Sequence, residues 1–135
     1  MDITSVKISG NSYNLPGGGK GDYIVNQYTE TVEGVDWLIR VYKSNICEIY
    51  GMFTTQGTTD FSFPSKKYPV TFTKIYYKNA DAQYVSGPNA ITGLYTGTGS
   101  AADSLTETGK MSQNRTTTTS GTQVARVWLH VIGTI

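Results

Sequence analysis

The sequence predicts an all-β fold, and three observations carry that prediction. Gly, Thr, Tyr, Val and Ile dominate the chain, with 15 Gly and 10 Tyr. No window shows the i, i+3, i+4, i+7 apolar spacing of an amphipathic helix. Short runs of β-branched and aromatic residues alternate with Gly, Asn and Ser, a pattern typical of a sandwich or a barrel. At 135 residues the chain fits one domain.

Nine strands are expected in order along the chain. They cover residues 5–9, 23–27, 37–43, 46–54, 70–78, 82–86, 90–95, 110–115 and 124–132. Residues 1–21 are expected to form an N-terminal strand and a Gly-rich connector. The connector's "LPGGGKGD" fails as a phosphate loop because Lys20 is followed by Gly21 and a strand. A long loop with one helical turn at 101–105 is expected within residues 93–109.

The most patterned stretch is "WLIRVYKSNICEIYG", residues 37–51. Its alternation stops at Ser44-Asn45 and then resumes, which predicts a β-hairpin with a two-residue turn. That turn would place Arg40 opposite Ile49 and Ile39 opposite Tyr50. Trp37 is expected between the sheets, with Arg40 stacked or paired beside it.

Charge and composition argue against several functions. The formal net charge is +1, 16% of residues are charged, and the basic residues are scattered. Nucleic-acid binding, which needs a clustered basic face, is therefore not expected. The N-terminus lacks a signal-peptide pattern, and no stretch approaches the roughly 20 apolar residues of a membrane span. We expect a protein made in the cytoplasm without a signal peptide.

The sequence offers few candidate residues for a catalytic site or a metal site. Cys47 and His130 are the sole Cys and the sole His, whereas a metal site would need more ligands. No metal or cofactor is therefore expected. A Cys47–His130 nucleophilic pair is one alternative, although a single Cys in a strand is more often inert. A second alternative is a glycosidase that uses carboxylates among Glu30, Glu33 and Asp36.

Two further sequence features concern the surface. Asn114-Arg115-Thr116 matches a glycosylation acceptor, which matters only on a eukaryotic secretory route. Tyrosines beside Asn, Ser and Gly suit adaptable recognition surfaces. In "YVSGPNAITGLYTGT", residues 84–98, the expected ligand-binding residues are Tyr84, Ser86, Asn89 and Tyr95. The alternative is that these tyrosines only cover a sheet edge.

The hairpin also carries a resemblance to a known family. "DYIVNQYTETVEGVDWLIRVYKSNICEIYG" resembles a module at the C-terminal ends of phage tail and minor structural proteins. That family reads roughly "D-Y-I-V-E-Q-G", then "W-x-Y-R-K-W-x-D-G-x-A-E-C-W-G". The residues that match it are Asp22, Tyr23, Ile24, Val25, Gln27, Trp37, Arg40, Glu48 and Gly51. Departures are the extra residues 28–36, Ile49 for the family's Cys, and Tyr42 and Tyr50 where the family tends to have Trp.

The resemblance covers most of residues 22–135 and implies a fold and a function. The implied fold is a single-domain antiparallel β-sandwich, jelly-roll-like, and the implied place is the tip of a phage tail or baseplate, often as a trimer. The implied function is non-catalytic recognition of a bacterial cell-surface saccharide or protein receptor, together with contacts to other tail proteins. Trp37, Arg40, Tyr42, Tyr50 and Gly51 would then be structural. The alternatives are a small glycan-processing hydrolase and a purely structural virion module.

Overall fold

The all-β prediction is confirmed in the computed structural model, which describes residues 5–14, 21–57, 62–87, 91–98, 104–115 and 121–135. These described residues form ten strands in chain order. They are β1 (Ser5–Ile8), β2 (Asn11–Asn14), β3 (Ile24–Val32), β4 (Val35–Tyr42), β5 (Ile46–Gly57), β6 (Ser62–Phe63), β7 (Lys74–Ser86), β8 (Ile91–Thr98), β9 (Lys110–Arg115) and β10 (Gln123–Thr134).

The strands form three antiparallel sheets. The largest has five strands in the order β3-β4-β5-β10-β7, with the C-terminal strand β10 between β5 and β7. A smaller sheet has the order β6-β9-β8, and β1 pairs only with β2. The five-stranded sheet carries most of the core, and the jelly-roll arrangement stays a prediction.

The core lies on one face of the five-stranded sheet. Alternate residues of its strands are buried there, as period-two patterning requires: Val35, Trp37 and Ile39 of β4, Cys47, Ile49 and Phe53 of β5, and Ala125, Val127, Leu129 and Val131 of β10. Met111 of β9 joins the same cluster, as do Tyr68 and Phe72 from the segment before β7. This face, the core face, is thus closed by the second sheet and an aromatic segment.

Backbone hydrogen bonds hold that aromatic segment in place. The Tyr68 and Phe72 amides donate to the Thr106 and Leu105 carbonyls at 2.8 and 3.0 Å. The Tyr68 ring then meets the Trp37 and Phe72 rings edge-to-face, with centroids 6.1 and 5.6 Å away. Burial raises the pKa of the Tyr68 hydroxyl to about 12, with the nearby Glu107 charge as a lesser cause.

The hairpin of β4 and β5 exists, but its predicted register is wrong by one residue. Arg40 lies opposite Glu48, and Ile39 lies opposite Ile49. The Asn45 amide donates to the Tyr42 carbonyl at 2.9 Å, and Asn45 has a φ of 65°. A type I turn followed by one left-handed residue makes a three-residue connection. The sequence pattern located the turn at Ser44-Asn45, but it did not show that Lys43 also belongs to the connection.

Other strand boundaries also differ from the prediction. The two strands expected at 70–78 and 82–86 are one strand, β7, because β10 pairs along its whole length through two register shifts. β3 continues to Val32, where Glu33 and Gly34, with φ of 50° and 76°, connect it directly to β4. Strands β2 and β6 were not predicted, while 110–115 was predicted correctly. The expected helical turn at 101–105 lies partly outside the described residues.

Candidate functional site on the open sheet face

The second face of the five-stranded sheet, which we call the open face, carries the side chains that alternate with the core residues. Strand register sets them in three rows across the sheet. The first row is Thr31, Asp36, Met52, Trp128 and Asp81. The second is Thr29, Leu38, Tyr50, His130 and Asn79. The third is Gln27, Arg40, Glu48, Ile132 and Tyr77.

The first two rows border a surface depression of about 570 Å³. Its apolar side chains include Leu38, Met52 and Trp128, and Trp128 is 41% exposed. Polar groups lie around them, including Asn79 and Asp81 on β7 and Asp36 on β4. An apolar floor with a few polar side chains is the usual composition of a small-ligand site.

Aromatic stacking fixes the middle of the open face. The His130 ring stacks on Tyr50 with centroids 4.3 Å apart and 15° between planes. Tyr77 meets the same imidazole edge-on at 5.3 Å. His130 therefore lies beside Trp128 and Ile132 on one face, as its spacing predicted, and two tyrosines restrict its ring.

Arg40 is also on the open face, so its expected place beside Trp37 is wrong. Its Nε donates to Gln27 Oε1 at 2.8 Å, and its guanidinium lies 5.7 Å from the Tyr50 ring centroid. The Tyr50 hydroxyl donates to Glu48 Oε2 at 3.1 Å. Burial is the main cause that raises the pKa of this hydroxyl, followed by its bond to Glu48. Arg40, Tyr50 and Glu48 form one contact group at the edge of the depression.

Trp37 and Gly51 occupy the core face, in line with structural roles. Trp37 is 1% exposed and lies across Gly51. A Cβ at Gly51 would lie 2.6 Å from Cζ3 of the Trp37 ring, closer than real atoms pack. Only glycine therefore leaves room for this indole. Tyr42, by contrast, is half-buried opposite Ile24 at the β3 edge of the sheet.

The ligand residues predicted from sequence lie apart from the depression where they are described. Tyr84 is paired with Ala125, a core residue, which places it on the other face of the sheet from Trp128. Its hydroxyl donates to the Gly87 carbonyl at 2.8 Å. Ser86 is exposed at the end of β7, and Tyr95 is paired with Ser112 in the second sheet. Asn89 lies outside the described residues, so recognition by this group stays a prediction.

The structure does not bring together the residues of either catalytic alternative. Cys47 is buried on the core face, whereas His130 is on the open face. Burial, with a smaller effect of Glu48, raises the pKa of the Cys47 thiol to about 11, which disfavours a thiolate. Glu30, opposite Trp37, and Asp36 belong to opposite faces of the sheet, and Glu33 forms an ion pair with Lys67 at 3.6 Å.

The sequence analysis missed Trp128, Met52, Leu38 and Asp81 as candidate site residues. The available signal was the alternation in "VARVWLHVIG", which puts a Trp on the face opposite Val127 and Leu129. Within the described part of the chain, no group of three or more His, Cys, Asp or Glu residues could hold a metal ion. The described residues also include no helix long and apolar enough to cross a membrane.

Comparison with known proteins returned no relative. No family model, curated protein or solved structure matches the chain.

Proposed function

We propose that this chain is a non-catalytic receptor-binding module that takes a saccharide on the open face of its five-stranded sheet. The observation that carries the proposal is Trp128, 41% exposed beside a depression of about 570 Å³. A large aromatic ring left in contact with solvent offers a flat apolar surface to the C–H face of a sugar ring. The core of this protein does not need that ring, because Trp128 points away from it.

The polar neighbours of Trp128 suit hydroxyl recognition. Asn79 supplies both donors and acceptors, and the carboxylates of Asp36 and Asp81 supply acceptors. All three are on regular strands, where neighbouring pairing fixes the backbone. A sugar that stacks on Trp128 could therefore satisfy its hydroxyls without a large ordering penalty in the protein.

The spacing of the carboxylates favours binding over hydrolysis. Asp36 and Asp81 lie in the same row but three strand intervals apart. With about 4.8 Å between neighbouring strands, their backbones are separated by about 14 Å. Glycosidases hold their two carboxyl groups roughly 5 to 9.5 Å apart. The strands that carry Asp36 and Asp81 are thus farther apart than the carboxyl groups of a glycosidase pair, which favours binding over the hydrolase alternative.

The phage setting of the proposal rests on the resemblance of residues 22–135. Such a module would be assembled with other tail proteins in the virion. At the tip of a phage or prophage tail it would bind a bacterial cell-surface saccharide or protein receptor. A homotrimer would repeat one weak site three times and so raise avidity. Light scattering that gives three times the chain mass would support the trimer, and a monomer at high concentration would count against it.

A glycan array tests the proposed site with three proteins. We expect wild-type protein to bind a defined set of glycans, Trp128→Ala to lose them, and Tyr76→Ala to keep them. Tyr76 is a matched control, because it is an aromatic residue on β7 with 57% of its surface exposed outside the depression. Loss of binding in both variants, or in neither, would contradict the assignment.

One further variant and one activity assay address the alternatives. The double variant Tyr84→Ala, Tyr95→Ala would lose binding at least tenfold if recognition used the 84–98 segment instead. Release of reducing sugar from a bound glycan would identify a hydrolase. A purely structural module would give no array signal and would bind virion proteins alone.

A further inference from the structure

We propose that the depression around Trp128 selects a saccharide that bears a positively charged ammonium group, such as an amino sugar without its acetyl group. This inference rests on the proposed function, and it names the chemical class of the ligand.

The lining of the depression is acidic, although the whole chain has a formal net charge of +1. Its charged side chains on the open face are Asp36 and Asp81, and no Lys or Arg of the described segments lines it. His130 is its one basic residue, and that ring is stacked on Tyr50. A ligand with a negative charge would therefore meet like charges, whereas a cation would meet opposite ones.

The two open-face carboxylates that line the depression are next to its apolar side chains. Asp81 is directly across from Trp128, and Asp36 is directly across from Met52. The Asp81 side chain accepts a bond from the Ala82 amide at 2.8 Å, and the Asp36 side chain accepts one from the Thr31 hydroxyl at 2.8 Å. Local hydrogen bonds thus orient both carboxylates on the strands that border the apolar surface.

An ammonium group on a sugar stacked at Trp128 would gain from two sources. The indole face attracts a cation through its quadrupole, and Trp is the best such ring. A carboxylate within hydrogen-bond reach adds a charge-assisted bond. Arg126 is on the open face two residues before Trp128 but outside the lining of the depression, and Arg40 is farther away, in the third row. The carboxylates, and not these two cations, therefore border the apolar surface itself.

The test compares two ligands that differ only in acetylation. Titration calorimetry would measure binding of a β-1,4-linked glucosamine tetramer and of its fully N-acetylated counterpart at pH 6, where free amines are protonated. We expect the amine-bearing tetramer to bind at least tenfold more tightly. We also expect its affinity to fall as salt is raised from low to physiological concentration.

The double variant Asp36→Asn, Asp81→Asn removes the charge and keeps the shape. It should bind both tetramers within about threefold of each other, with a thermal midpoint close to that of the wild type. A preference for the amine that survives in this variant would overturn the inference, as would equal or tighter wild-type binding of the acetylated tetramer. If the wild type binds the acetylated tetramer equally or more tightly and Trp128→Ala loses that binding, the proposed function stands and only this inference is wrong.

Absence of binding to the glucosamine tetramer at millimolar concentration would also overturn the inference. The proposed function would then be decided by the glycan array alone, where neutral and acidic glycans are represented. Binding of either tetramer that persists in Trp128→Ala would instead contradict the site itself.

Discussion

Gly51 and Trp37 constrain each other at the level of single residues. Since a Cβ on residue 51 would lie 2.6 Å from the indole, Gly51→Ala forces the ring or the β5 backbone to move. We expect a loss of about 1–3 kcal/mol in the free energy of unfolding, typical of overpacking. Gly21→Ala is the control, because nothing lies within 4 Å of its Cβ position. Equal denaturation midpoints for the two variants would argue against the contact.

The two tryptophans make a second residue-scale test. Trp37→Ala should lower the free energy of unfolding by about 3–5 kcal/mol, since it empties a buried site. Trp128→Ala should lower it by clearly less than Trp37→Ala does, because Trp128 is 41% exposed and lies outside the core. Urea denaturation followed by circular dichroism would give both values. A Trp37→Ala protein with a normal midpoint and lost ligand binding would reverse the two roles.

At the scale of elements, the turn between β4 and β5 depends on one backbone conformation. Asn45 adopts a φ of 65°, and its carbonyl accepts a bond from the Ile135 amide at 3.1 Å. Asn45→Ala should lower stability by about 1 kcal/mol, because alanine tolerates this region poorly. Asn45→Gly should be nearly neutral, since glycine adopts it freely. If the Ala and Gly variants unfold at the same denaturant concentration, backbone conformation is not what Asn45 supplies.

The same turn shows why elements were easier to predict than their pairing. Alternation in "WLIRVYKSNICEIYG" was enough to place two strands, because period two survives any turn length. A connection of two or three residues changes the partner of every strand residue. Asn45 would have a positive φ in a three-residue connection and in a two-residue type I′ turn alike, so an Asn at this position does not distinguish the two. The Glu33-Gly34 turn was missed for a related reason, since Glu is not a usual first residue of such turns.

The sequence did not predict the neighbours of Trp128, because strands far apart in the sequence supply them. Trp128 and Asp81 meet because β10 inserts between β5 and β7, an order that local patterns do not encode. The sequence did predict that His130, Trp128 and Ile132 share a face. It could not predict which residues of other strands join them, so the expected site fell on the Tyr84–Tyr95 segment instead.

For the whole molecule, two buried acidic protons predict a loss of stability at alkaline pH. The pKa is raised to about 11 for Cys47 and to about 12 for Tyr68, chiefly by burial. The folded state therefore retains protons that the unfolded state releases from about pH 9 upward, so the free energy of unfolding must fall as pH rises from 9 to 12. Denaturant midpoints measured at pH 8, 10 and 11.5 should decrease in that order. Cys47→Val should shift the onset toward pH 10, and a flat profile would show that neither group is linked to folding.

The five-stranded sheet has a core face and an open face. Substitutions on the open face leave the core packing unchanged, whereas substitutions on the core face do not. Residues such as Met52 and Asn79 alternate with core residues, yet their side chains point away from the core. Substitutions at these positions can therefore accumulate without loss of the scaffold. A lineage carrying this sheet could explore new ligands one residue at a time, and a library randomised at the same positions would sample binding specificities while keeping one fold.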